Sequence, residues 1–373
     1  MEEWKEYRLG EICNIFTGKK DVNQTTQNGA YPFFSCAPTP YKSMEYIYDG
    51  NAIIVAGNGS FTGRVSYYKG KFDLYQRTYA CTPIMDNFDF DFLFYYMKTF
   101  FEPKFMGGTR GSSIPYIVRG DLYNFVVELP SLNHQQKISS ILKSLDDKIE
   151  VNRKINENLE QQAQAMFKSW FVDFEPFKDG EFVESELGMI PKGWRVGKLG
   201  DICNVFTGKK DVKQSQPIGL YPFFSCSPNH TYSNEYIYDG PSIIIAGNGS
   251  YTGRTSFYFG KFDLYQRTYA CTIKEGFNEK IISFLYYMMK CLFEPVKMGG
   301  TRGSSIPYIV MNDIVLQKFA LENSLVEKYS NFAYNVMKQI QQNNQESRRL
   351  AELRDTLLPK LMSGELKVNE VAA

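Results

Sequence analysis

Long apolar runs, histidine and paired cysteines are what this 373-residue sequence has least of. No stretch approaches the ~20 apolar residues that a bilayer span requires, and Met1-Glu2-Glu3-Trp4-Lys5 is not a basic stretch leading into an apolar core. The expectation is a chain that neither crosses nor binds a membrane. Its seven cysteines (Cys13, Cys36, Cys81, Cys203, Cys226, Cys271, Cys291) include no CxxC pair, and an odd number argues against a disulfide framework, which points to the reducing cytoplasm. With His134 and His230 the only histidines, no histidine-based metal site is expected. Charge is equally uninformative in bulk: 42 basic against 41 acidic side chains, so any basic face must arise by local segregation.

Catalytic fingerprints are also missing. No GxGxxG follows a strand pattern, which removes the usual dinucleotide or S-adenosylmethionine loop. Gly57-Asn58-Gly59-Ser60-Phe61-Thr62-Gly63-Arg64 lacks the spacing and the lysine of a P-loop and reads as a strand-to-strand turn with glycines at positive φ. No Asn-Pro-Pro-aromatic or Asp-Pro-Pro-aromatic tetrapeptide is present to hold a flipped base. The acidic-x-Lys triplets Glu102-Pro103-Lys104 and Glu365-Leu366-Lys367 read as chance, because the first becomes Glu294-Pro295-Val296 in its own repeat. Two unrelated histidines build no Ser/His/Asp set. No catalytic residue and no metal ligand is therefore expected.

What is there is duplication. Phe16-Thr17-Gly18-Lys19-Lys20-Asp21-Val22 recurs at 206–212, Tyr31-Pro32-Phe33-Phe34-Ser35-Cys36 at 221–226, and residues 70–82 at 260–272, all 190 positions on. After a two-residue insertion, Met106-Gly107-Gly108-Thr109-Arg110-Gly111-Ser112-Ser113-Ile114-Pro115-Tyr116-Ile117-Val118 returns unchanged at 298–310. A period this long means two domains, not a solenoid. Six of the seven cysteines form three repeated pairs, as ordinary core residues would. Within each repeat, aromatic and β-branched runs broken by glycine predict short strands, and a helix is expected over 92–101. Residues 191–322 carry 15 Lys/Arg against 10 Asp/Glu, whereas residues 1–130 carry 13 against 14, so only the second repeat is basic.

Each repeat ends in a heptad-like seam. Ile138, Leu142, Leu145, Ile149, Asn152, Asn156, Leu159, Ala163, Met166 and Trp170 step by fours and threes, which predicts a helix over 131–172, roughly 60 Å long. At an offset of 191, Val336, Ile340, Asn343, Leu350 and Leu357 match it in a second helix over 323–363. Seams this narrow want a helical partner, so the two helices are expected to pack on each other, with asparagine fixing their register. Pro130, just before the first helix, and Pro359 followed by Ser363-Gly364, near the end of the second, read as boundary signals. Residues 173–190, with six acidic side chains and one basic between 173 and 186, read as a solvated linker, and 364–373 as a tail.

The remaining chemistry is binding. Thr109, Arg110, Ser112, Ser113 and Tyr116 combine hydroxyls for phosphate oxygens with a guanidinium able to grip guanine, amid glycines that allow close backbone approach. Lys19, Lys20, Gln76 and Arg77 add phosphate-seeking charge and an amide suited to adenine, and Asn58, Ser60 and Arg64 would stand at the tip of the glycine loop. All recur, as Thr301, Arg302, Ser304, Ser305 and Tyr308, as Lys209, Lys210, Gln266 and Arg267, and as Asn248, Ser250 and Arg254.

In its layout the chain resembles the specificity subunits of type I restriction–modification systems. The resemblance is carried by Gln136-Lys137-Ile138 and Leu145-Asp146-Asp147-Lys148-Ile149 in the first helix, by Ile190-Pro191-Lys192-Gly193-Trp194 opening the second repeat, and by Leu358-Pro359-Lys360-Leu361-Met362-Ser363-Gly364-Glu365-Leu366 closing the second helix. It implies an α+β fold with two similar target-recognition domains (1–130 and 191–322), separated by two long helices packed as an antiparallel coiled coil with a pseudo-two-fold. It also implies that each domain reads half of a split double-stranded DNA site, and that two modification (methyltransferase) subunits dock on the helices. Two restriction (translocase-nuclease) subunits would join for cleavage. S-adenosylmethionine, ATP and Mg would belong to those partners, with no cofactor bound by this chain. Members commonly carry dissimilar recognition domains, whereas these are near-copies, so the expected target is a near-palindrome around an unspecified spacer. The segments 23–30 and 37–44, which differ most from 213–220 and 227–234, would make the halves differ at one or two positions. A self-sufficient DNA methyltransferase or nuclease, and a non-catalytic DNA-binding or adaptor protein on the same scaffold, stand as alternatives.

Overall fold

Alternation sets the sheet. In Ala52-Ile53-Ile54-Val55, successive side chains point to opposite faces, and both faces are covered: Ile53 and Val55 enter one hydrophobic core, Ala52 and Ile54 another. The computed structural model describes residues 4–106, 115–292 and 307–368 and divides the chain into two units, Met1–Ile149 with Arg348–Ala373 and Glu150–Ser347.

In the first unit, β1 (Lys5–Arg8) pairs with a strand at Val126–Leu129, which joins the two ends of the globular repeat. Between them lie β2 (Cys13–Thr17), β3 (Tyr31–Phe34), β4 (Tyr41–Ser43), β5 (Tyr48–Ala56), β6 (Val65–Leu74) and β7 (Thr78–Pro83), in the order β2-β7-β5-β6-β3-β4. All neighbours are antiparallel except β3 and β6. Gly50 and Gly70 face each other across β5 and β6 at φ +147° and +125°, which bends the ribbon. Its far end meets the segment after β2, where Gly18 is pressed so close that a Cβ would stand 1.5 Å from the Leu74 carbonyl oxygen. Gly18→Ala is accordingly expected to destabilise this unit by about 1–3 kcal/mol, read by denaturant unfolding. The second unit repeats the six strands in the same order, from Cys203–Thr207 to Thr268–Ile273.

The helix expected over 92–101 is more irregular. An α-helix at Phe90–Tyr96 widens into a π turn at Met97–Phe101 and resumes at Glu102–Phe105. Pro103 has no N–H for the Thr99 carbonyl, and the wider turn absorbs that loss. The second unit has an α-helix at Ile281–Leu292.

The long helices run Leu132–Phe171 and Asn323–Met362, and the division into units falls inside both. This differs from a scheme of separate heads and rods, because each helix half is built into the core of a globular repeat. In the first unit Ile138 and Leu142 share a core with Leu361, Met362, Phe92 and Leu93, and Tyr95 donates to Asp146 (2.6 Å), which also pairs with Arg354. In the second, Ala163, Phe167 and Phe171 pack with Tyr329, Ala333 and Phe284, and the Tyr329 hydroxyl donates to the Ala163 carbonyl (2.8 Å). Helix direction is antiparallel there, since Asn152 meets 343–347 while Ala163 meets Tyr329.

The second long helix ends at Met362, beside Ser363-Gly364, with Pro359 inside its last turn, where the missing N–H costs one bond as the helix opens to solvent. One boundary expectation is corrected: 173–190 is not a bare linker. Phe174 and Phe177 pack edge-on against Trp194 (5.1 and 5.3 Å between centroids), and Phe182–Ser185 and Gly188–Pro191 form a hairpin, while the six acidic side chains stay exposed. Acidity masked a spacing of aromatics that needed burial.

Candidate nucleic-acid interface

Four separate segments converge around the turn that follows β6. The Gln76 amide donates to the Lys20 carbonyl (3.0 Å), the Tyr75 amide to Phe34 (2.9 Å), the Gly57 amide to Arg77 (3.0 Å) and the Ile117 amide to Gly57 (2.9 Å). The Cys36 thiol lies 3.0 Å from Asn58 Oδ1 and 3.3 Å from the Arg77 carbonyl. In the second unit the same ties link Gln266 to Lys210, Tyr265 to Phe224, Gly247 to Arg267, Ile309 to Gly247 and Cys226 to Asn248. Those of the repeated candidate residues that are described are thus collected at one end of each sheet. Cys36 and Cys226 belong to this end and are half-buried, so only the other two repeated pairs are core cysteines; burial pushes the Cys13 thiol up to about 12.

The glycine loop is tied down by its own hydrogen bonds. Gly59 and Gly63 stand at φ +82° and +87°, a region that a side chain would strain, and Thr62 Oγ1 donates to the Gly59 and Pro115 carbonyls. Its side chains do not all reach outward. Asn58 is half-buried beside Cys36, and Arg64 turns in to donate to the Ala37 carbonyl, where burial lowers its pKa. Asn248 and Arg254 do likewise, the latter on Ser227. Of the expected tip residues, Ser60 and Ser250 are presented. With them stand Phe61 and Tyr251, which sequence reasoning passed over because an aromatic in a globular repeat reads as core.

The lysine pairs divide. Lys19 and Lys209 are exposed, but Lys20 Nζ binds Asp73 (2.8 Å) and Glu45 (2.9 Å), and Lys210 binds Asp263 (2.7 Å) and Glu235 (2.8 Å). Asp73 also accepts from Ser43 (2.7 Å) and the Leu74 amide (2.9 Å), so this is an internal network, and its positive charge is spent inside the unit. The Asp73 and Glu45 carboxylates hold the Lys20 ammonium above the usual lysine range. That stabilisation is full at neutral pH and is lost only as pH rises past the lysine range. Lys20→Met would strand a carboxylate that is 5% exposed, with an expected loss of about 1–3 kcal/mol in chemical unfolding. Arg77, Arg267, Gln76 and Gln266 are exposed, with Gln76 Nε2 on Asp21 (3.1 Å).

Tyr116 and Tyr308 bridge by backbone to Asn58 and Asn248. Thr109, Arg110, Ser112, Ser113, Thr301, Arg302, Ser304 and Ser305 lie outside the described residues. Among the described residues no cluster of His, Cys, Asp and Glu could hold a metal ion, and no helix is long and apolar enough to cross a membrane.

None of the seam residues is exposed. Ile138, Leu142, Asn152, Val336, Ile340 and Asn343 are buried, and Leu145, Ile149, Leu159, Met166, Leu350 and Leu357 are half-buried. Within the second unit the asparagines form a polar core: Asn152 Nδ2 donates to Glu346 (2.7 Å), Asn343 Nδ2 to Asn156 (2.8 Å), Gln339 Nε2 to Asn343 (2.8 Å) and Asn156 Nδ2 to Asn344 (2.9 Å).

A family model described as type I restriction modification DNA specificity domain matches residues 1–161 and 191–321. The type I restriction enzyme MjaIX specificity subunit of Methanocaldococcus jannaschii is 29% identical over 303 residues, 75% of this chain and 70% of that protein. The EcoDI specificity subunit of Escherichia coli is 30% identical over 294 residues, 73% of this chain and 64% of that protein, so the chain matches just under two thirds of this relative's length. In fold, the crystal structure of a type I restriction–modification S subunit from M. genitalium superposes with a TM-score of 0.66 over 96% of each chain at 18% identity.

Proposed function

Because the chain belongs to the type I restriction modification DNA specificity family, we propose that it directs its complex to a bipartite, near-palindromic double-stranded DNA site, with one half read by the loop cluster of each unit. The chain is a non-catalytic specificity subunit. Methyl transfer to adenine from S-adenosylmethionine belongs to two modification subunits docked on the long helices, and ATP- and Mg-dependent cleavage to two restriction subunits, in the cytoplasm.

One observation carries this reading: the same backbone ties assemble the same exposed side chains at one sheet end in both units. A second observation, inside the second unit, supports an inverted helix pair. Asn152 and Asn343, equivalent by the helix offset of 191, meet each other, with Asn152 Nδ2 3.5 Å from the Asn343 carbonyl. In an antiparallel pair, equivalent residues meet only at a local two-fold axis of the two helices, and inverted half-sites have the same symmetry.

Affinity comes from phosphate contacts and falls with salt; discrimination comes from base edges. Net charge near zero predicts weak binding by the chain alone. The test is a gel-shift titration on a library of duplexes at low and high salt, with and without the cognate modification subunits. The expected result is tight, salt-sensitive, sequence-selective binding only in the assembled complex. Methyl transfer or cleavage by the isolated chain, or binding without sequence preference in the complex, would overturn the reading.

A further inference from the structure

The glycine loops of the two clusters are near-identical, and the point at which they part is a single oxygen. In the eight-residue glycine loop, seven residues are the same in both repeats, and the eighth is Phe61 in one and Tyr251 in the other. Both rings stand in the open, 41% and 49% exposed, in a molecule whose large aromatics are mostly buried or half-buried among the described residues. They are held there rather than left loose. The loop is cinched at its neck, where Gly63 donates to Ala56 (2.8 Å) and Gly253 to Ala246 (2.8 Å). It is pinned to the neighbouring segment by Gly59 on Pro115 and Gly249 on Pro307 (both 3.1 Å). A guanidinium lies over each ring, Arg64 at 5.4 Å from the Phe61 centroid and Arg254 at 6.0 Å from that of Tyr251. The arginines are themselves tethered to Ala37 and Ser227, so each ring has a fixed bearing.

An exposed aromatic ring held beside an exposed serine and under the arginine of its own loop is a poor surface residue and a good contact residue, since little further has to be ordered on binding. Resting on the function proposed above, we infer that Phe61 and Tyr251 are specificity-determining residues that touch equivalent bases in the two half-sites. Phe61 offers only an apolar edge, suited to a thymine methyl group. Tyr251 offers a hydroxyl that can donate to or accept from a base edge, and a base lacking the matching group leaves that hydroxyl unpaired in the closed interface. The two halves of the target therefore differ at this position, with an apolar preference in the half read by the first unit and a hydrogen-bonding one in the half read by the second.

The test uses the full chain assembled with its cognate modification subunits and a library of randomised duplexes, sequenced after selection. Wild type, F61Y, Y251F and the double swap are compared, and each variant adds or removes one exposed oxygen, so folding is not at stake. Y251F is expected to lower discrimination at one position of one half-site by roughly 5- to 150-fold, and F61Y to impose a new preference at the equivalent position of the other. The double swap should exchange the two halves at that position. Removing both rings, in F61A with Y251A, should weaken selected-site binding while the melting temperature holds. Swaps that leave every position of a well-defined site unchanged overturn this inference and spare the function. A wild-type complex that selects no site overturns both.

Discussion

Phe167→Ala is expected to lower the stability of the second unit by about 3–5 kcal/mol, more than any surface change in either long helix. Phe167 is 1% exposed and sits where the first long helix enters the core, with ring centroids 5.1 Å from Phe171, 5.5 Å from Phe284 and 5.6 Å from Tyr329. Truncation to alanine removes the transfer energy of a whole ring. It also leaves a cavity that Phe171, Phe284 and Tyr329, held by the three helices that carry them, can collapse into only in part. Val151→Ala on the same helix is the control: its side chain is 48% exposed, and a change within about 0.5 kcal/mol is expected. Denaturant unfolding of the full chain reads both. A loss under 1 kcal/mol for Phe167→Ala would mean that the helix end is a detachable strut rather than part of the recognition unit.

Replacing the central asparagines has the second largest effect, and it has two parts. Asn343→Leu alone takes the donor from the half-buried Asn156 Oδ1 and the acceptor from Gln339 Nε2, with an expected cost of about 1–3 kcal/mol. Asn152→Leu with Asn343→Leu together gives two facing apolar side chains and should recover or exceed wild-type stability, because asparagine in a seam trades stability for a defined register. The recovered protein is expected to be less exact in function. Leucines at the crossing point are content in neighbouring registers, so the assembled complex should accept sites with more than one spacer length. Unfolding gives the first part, and selection from duplexes with varied spacers gives the second. A double variant that is more stable and keeps a single spacer would show that register is held elsewhere, by Asp146 with Arg354 or by the cores at the helix ends.

The sequence carried more of the frame than of the site, for a physical reason. Strands, long helices and the repeat are written in local periodicity, so 52–56 reads as a buried strand and 138–166 as a seam without any knowledge of partners. Site chemistry depends on what is brought near. Lys20 looks like a phosphate contact until folding sets Asp73, 53 residues away, against it. Arg64 looks like a loop-tip cation until Ala37 supplies a carbonyl behind it. Phe61 was overlooked for the opposite reason: composition assigns an aromatic to the core, and only the two positive-φ glycines around it, at 59 and 63, hold it out. The glycines themselves were legible as a turn, and that turn, read together with an aromatic at its tip, was the available signal. The π turn before Pro103 shows the same limit, since proline marks where a helix is weakened and not how the turn before it adjusts.

Mapping modified bases across the genomic DNA of cells that carry this chain with its modification subunits tests the twin-reader account most directly. The account predicts adenine methylation at one bipartite sequence whose halves are inverted copies, apart from one or two positions, at a single fixed separation. Two halves of unrelated sequence, direct rather than inverted copies, or an uninterrupted recognition sequence would contradict it.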